Sequence, residues 1–150
     1  MRSLTTLVAL LAATVATSLL VGCGKEVGRI PLRAEGQGEA SVQATAGKEL
    51  ALWTALDVKM KGDIVARYDV ELVQDGAVVA KAQCDPFDVN VKTGSKEITM
   101  GDDRSVSWSG KMRCGLTPAK TGPAIVRAKL SIPQRPATLT VKDMSLVIKE

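Results

Sequence analysis

The sequence contains no histidine. That removes the commonest general acid–base group near neutral pH and the commonest transition-metal ligand. Aromatic residues are nearly as scarce, with one Phe, one Tyr and two Trp among 150 residues. Few platforms are left on which nucleic-acid bases stack. A strong charge of either sign is missing too: 20 Lys and Arg stand against 16 Asp and Glu. The densest basic pair, Lys59 and Lys61, is flanked by Asp57 and Asp63. This pattern fits solvated strand faces and argues against a nucleic-acid partner. Beyond the N-terminal segment, no amphipathic helical period and no long apolar run occurs.

What is present begins at the N-terminus. Arg2 is the only charge before Lys25, and Leu, Val and Ala dominate residues 3–22. A basic start, an apolar run and a small-residue processing point form a secretory signal. The run approaches the ~20 residues that span a bilayer. No basic stop-transfer cluster follows it, so the cleaved signal is the better reading.

Leu20-Val21-Gly22-Cys23 closes the run. It resembles the lipobox of bacterial lipoproteins, and the resemblance covers only this leader. It implies that the Cys23 thiol receives a diacylglyceryl group. It further implies that a signal peptidase cuts before Cys23, whose new amino group is often acylated as well. Each buried methylene contributes ~0.8 kcal/mol, so two or three chains hold a protein essentially permanently on a membrane. Gly24 stands where an Asp favours inner-membrane retention in such proteins, which points to the outer membrane in a Gram-negative host. Domain organisation follows: a signal peptide over residues 1–22, a lipidated Cys and tether over residues 23–29, and a single domain over residues 30–150. The mature length suits one domain with a real core.

The body alternates with period two. Leu50, Leu52, Leu56, Val58 and Met60 share one face of an extended chain, while Asp57, Lys59, Lys61 and Trp53 share the other. Gln74-Asp75-Gly76-Ala77 carries the Asp-Gly pair of a tight hairpin. Further alternating runs cover residues 64–72, 78–84, 104–116, 124–132 and 139–148. A turn is expected at residues 93–95, a bulge at Gly110, and another where the phase slips at Lys142-Asp143. Ile30-Pro31-Leu32 is expected to start the first strand at a sheet edge, where a proline is tolerated. Eight or nine short strands with regular turn signals predict an all-β, antiparallel β-sandwich.

With Cys23 lipidated, Cys84 and Cys114 remain. Both lie on the apolar phase of their strands. In an exported chain an even pair reads as a disulfide; a reactive thiol pair is the alternative, without a C-x-x-C motif to support it. Ser105, Ser107 and Ser109 lie on a polar face and lack the sharp G-x-S-x-G turn of a hydrolase. Asp85, Asp88, Asp102 and Asp103 either ligate calcium through converging loops or serve as turn residues. Trp53, on the polar phase of its strand, is either a contact hot spot or is covered by a loop or neighbouring sheet. No metal, cofactor or catalytic residue is expected. Two function classes stay open: a membrane-anchored, non-catalytic envelope lipoprotein that binds a partner or supports an assembly, and a lipid-anchored cell-envelope hydrolase. Beyond the membrane, reached through Cys23, the partner is an envelope protein or ligand that the sequence does not identify.

Overall fold

Period-two alternation is realised as nine antiparallel strands in a computed structural model that describes residues 24–33 and 35–150. The strands are β1 (Glu26–Ile30), β2 (Gly36–Ala44), β3 (Leu50–Lys61), β4 (Val65–Gln74), β5 (Ala77–Cys84), β6 (Val89–Met100), β7 (Asp103–Leu116), β8 (Gly122–Gln134) and β9 (Thr138–Lys149). They form a five-stranded sheet, β1-β9-β3-β7-β6, facing a four-stranded sheet, β2-β8-β4-β5. The molecule is a β-sandwich, as its patterning implies. The leader and Cys23 lie outside the described residues.

The two apolar faces meet in one core. Leu50, Leu52, Leu56 and Val58 of β3 pack with Val70 and Leu72 of β4, Val126 and Leu130 of β8, and Leu146 and Ile148 of β9. Tyr68 of β4 is fully buried, and its hydroxyl donates to the Met144 carbonyl of β9 in the opposite sheet. A buried phenol needs such a partner, because an unpaired polar group there costs about 1–3 kcal/mol. Burial pushes the Tyr68 phenol well above its ordinary pKa.

The two sheets close differently at their sides. At one side the short β1 packs onto β2. Gly28 and Gly38 permit this: a Cβ on Gly38 would fall 2.6 Å from Ile30 Cγ2, and one on Gly28 would fall 2.8 Å from Val42 Cγ1. At the other side the two sheets are joined covalently. The Cys84–Cys114 disulfide links β5 to β7, with the Cα atoms 5.8 Å apart.

Three local expectations change. Residues 26–29 are the start of a strand and not tether, because β1 precedes Pro31 and pairs with β9 from Glu26 onward. The sandwich therefore begins at Glu26 and not at Ile30. Residues 93–95 do not turn the chain; they form an irregularity inside a continuous β6. Gly110 sits in regular register with Thr54 and Lys92. Its lack of a side chain makes room for Trp108 and Val89, each of which would lie 2.9 Å from an added Cβ. The phase slip near Lys142-Asp143 is a register shift between β3 and β9, as the sequence implies.

Candidate functional site

The exposed side of the sandwich originates at Cys84. There β5 ends opposite Tyr68, about the middle of β4. Pro86 lacks an N–H and cannot extend a ladder. Asp85 Oδ1 accepts a bond from the Phe87 N–H, 2.8 Å away, which folds the chain over toward the other sheet. The chain then returns as β6 along β7. The larger sheet has five strands and the smaller four, so β6 projects past its neighbours. Among the described residues β6 pairs only with β7. It is exposed from Asn90 to Met100, on both of its faces.

The inner face of β6 is charged. Lys92 Nζ lies 4.7 Å from the centroid of the Trp108 ring, and 3.1 Å from Glu97 Oε1. Trp108 Nε1 donates to the same carboxylate oxygen over 3.0 Å. Arg104 lies 3.8 Å from the other oxygen. The hydrogen bond from Lys92 is the main reason that the Glu97 carboxyl is held below the usual range; Arg104 and Trp108 add to it, and burial opposes it. Lys92 and Glu97 together roof the indole at the margin of the core. Inward charges of this kind are a known device for restraining edge strands.

The outer face of β6 carries three exposed apolar side chains beside Thr93 and Lys96. Val91, Ile98 and Met100 are 42%, 48% and 74% exposed. Ile98 and Met100 border a shallow groove of about 350 Å³, with Lys59, Ser105, Thr138 and Thr140 on its other sides. Val78 and Val79 of the neighbouring β5 edge are exposed as well. An open strand edge with apolar side chains offers main-chain donors and acceptors together with side-chain contacts, the two ingredients of strand addition.

The residues singled out by the sequence fall elsewhere or in other roles. Cys84 and Cys114 are joined, and they staple this same side of the sandwich. Trp53 is not an open contact: its side chain is 3% exposed, and Lys149 Nζ lies 3.8 Å from the ring centroid. That lysine comes from β9, the adjacent strand of the same sheet. Ser105, Ser107 and Ser109 line the outer face of β7, and Ser109 Oγ donates to the Thr54 carbonyl. Asp57 faces Asp143 across β3 and β9, and Asp143 Oδ1 is occupied by the N–H and hydroxyl of Ser145.

Asp85 and Asp88 precede the twelve-residue β6, whereas Asp102 and Asp103 follow it. A strand of that length spans roughly 40 Å, so the four do not converge. Asp88 pairs with Arg113 instead, at 2.9 Å. Among the described residues no group of three or more His, Cys, Asp or Glu is placed to hold a metal ion. The open edge itself escapes sequence reading because Gly94 looks like a turn signal, which cuts one long strand into two short ones. No protein-family model and no curated protein matches this sequence.

Proposed function

We propose that this protein is an exported, lipid-anchored bacterial envelope protein that acts by binding, and that β6 is its binding edge. The anchor reading rests on the leader and on Leu20-Val21-Gly22-Cys23. In a host with two membranes, Gly24 favours the outer one. The observation that carries the binding reading is β6, a twelve-residue edge exposed on both faces, with Val91, Ile98 and Met100 on one of them. Binding by strand addition requires no general base, which suits a chain without histidine. The tether is short. Only Gly24 and Lys25 separate Cys23 from β1, and Lys25 exchanges two backbone hydrogen bonds with Glu150. Two extended residues reach about 7 Å, so a lipidated Cys23 holds this end of the sandwich near the headgroups.

Two measurements test the reading. Cells fed a clickable palmitate should label the wild-type chain and not Cys23→Ala; equal labelling would remove the anchor. A photo-crosslinking residue at Thr93 of β6 should capture a protein in intact cells, while one at Gln37 of β2 should not. Equal capture at both sites, or none at Thr93, would remove the binding edge.

A further inference from the structure

We propose that β6 pairs with β6 of a second copy of this chain, antiparallel about a two-fold axis between Gly94 and Ser95. The pairing joins two five-stranded sheets into one continuous sheet. It deepens the binding-edge reading and rests on it.

The irregularity inside β6 carries the inference. On the N-terminal side, Val91 and Thr93 stand opposite Lys111 and Ser109, on the outer face of the sheet. On the C-terminal side, Lys96, Ile98 and Met100 stand opposite Ser107, Ser105 and Asp103, on that same face. From Val91 onward, odd residues face outward before the irregularity and even residues after it; a separate register shift sets Val89, opposite Met112, on the inner face. The inner face changes parity in the same way, with Lys92 on one side and Glu97 on the other. One extra residue between Thr93 and Lys96 produces the change, as in a β-bulge. Gly94, at φ +62°, supplies a backbone conformation that residues with side chains rarely adopt.

In a strand without a bulge, residues of opposite parity face opposite sides and cannot pair directly. In β6 they can. Antiparallel pairing about Gly94 and Ser95 puts Val91 opposite Ile98 of the partner subunit, both on the outer face. It puts Lys92 opposite Glu97 of the partner subunit, both on the inner face, and Thr93 opposite Lys96 of the partner subunit. Every such pair occurs twice by symmetry, so the contact is isologous. Two apolar pairs and two opposite-charge pairs result, each a favourable cross-strand neighbour. The Lys92–Glu97 pairs of the two copies then merge into one alternating row beside the two Trp108 rings.

The bulge also favours one partner. A regular strand laid along β6 must set one residue against two at Gly94 and Ser95, as β7 does between Ser109 and Ser107. A second β6 carries the same bulge at the same place and pairs with it residue for residue. Bulges and charges on an edge discourage indiscriminate pairing; here they leave one well-matched occupant. The two tethers emerge from opposite ends of the paired strands. With both copies on one membrane, the strands lie along its surface.

Charge exchange between chains tests this directly, because it separates contacts between copies from the contact within one. The full-length chain is expressed with two different affinity tags and purified in mild detergent. Wild-type chains should co-purify. Lys92→Glu sets like charges against Glu97 of the partner subunit, and Glu97→Lys does the same against Lys92 of the partner subunit. Each variant alone should lose self-association by tenfold or more. Mixed together, the two variants should recover it, although each still carries a repelling pair within its own chain. Independently, Ser95→Cys should form an inter-chain disulfide across the axis, and Gln37→Cys should not.

A monomeric wild-type protein, together with a Ser95→Cys variant that forms no dimer in membranes, would overturn the proposal. So would single variants that stay dimeric, which would place the contact elsewhere. Capture of a different protein at Thr93 by a monomeric chain would overturn self-pairing yet keep β6 as the binding edge. No capture of any protein at Thr93, this chain included, would remove both.

Discussion

The two sides of the sandwich show two answers to the same physical problem. A sheet edge carries unpaired main-chain groups and a gap in the apolar core. On the side of β1 and β2, the gap is closed by removing side chains: Gly28 and Gly38 let one strand settle onto the other. On the side of β5 and β6 the strands stay apart. A disulfide spans the gap, and Trp108 fills it under a roof of Lys92 and Glu97. Close packing makes the first side stiff and self-contained. Covalent and electrostatic closure leaves the second side free to present β6. A binding strand is best held by groups that do not use its outer edge, and the disulfide and the indole both act from behind it.

The largest expected effect tests how far the exposed side depends on its staple. Replacing Cys84 and Cys114 together by Ala should cost about 3–4 kcal/mol in the chain-entropy account of a 30-residue loop. Denaturant unfolding measures the loss. Hydrogen exchange locates it: amides of β5 and β6 should lose protection well before those of β1 and β2. Uniform loss across both sides would mean that the two closures are not independent.

The next effect belongs to the glycine side. Gly38→Val places a branched side chain against Ile30, where even a Cβ comes within 2.6 Å of Cγ2. Overpacking of this kind costs about 1–3 kcal/mol. Lys96→Val on the exposed outer face of β6 should change stability by no more than about 0.5 kcal/mol. A thermal melt of each variant decides it. If Gly38→Val is as mild as Lys96→Val, the glycines are not what closes that side.

The comparison also explains what the sequence discloses. Alternation along residues 50–60 and 64–72 reveals the core strands, because one face must be apolar and the period is two. Cys84 and Cys114 lie on apolar phases, and their union follows from the sandwich. Neither side closure is visible in this way. Gly28 in the linear sequence reads as tether, since only the tertiary approach of Val42 shows why it lacks a side chain. Gly94 reads as a turn, since a bulge and a turn both call for positive φ. Trp53 reads as either an open contact or a covered one, since alternation reports which face a residue takes and not which neighbour covers it. Lys149 covers it from β9, 96 residues on in the numbering. The binding edge is the hardest feature to read. What defines β6 is that one sheet has a strand more than the other, and that is a property of topology, not of any residue in it.

The smallest effect concerns pH and separates the two sides by their charges. Glu97 is held below its ordinary range chiefly by the hydrogen bond from Lys92, and its side chain is about one-third exposed. A lowered carboxyl pKa means that the folded state resists protonation more than the unfolded state does. The stabilisation is therefore complete above the unfolded value, roughly 4.3 for Glu, and fades as pH falls through the lower folded value. Solvent screening keeps it small. On the opposite side, Glu26 is lowered in the same direction by its hydrogen bond from Arg29. Both carboxylates thus titrate in the same acidic window, but only Glu97 touches an indole. Trp108 fluorescence in the wild-type protein should shift as pH is lowered below the ordinary glutamate range, before global unfolding. In Glu97→Gln the shift should vanish, because the amide keeps an acceptor for Trp108 and carries no charge for Lys92. In Glu26→Gln it should persist unchanged. Identical fluorescence profiles for wild type and Glu97→Gln would show that the roof over Trp108 is held by packing and not by the charge of Glu97.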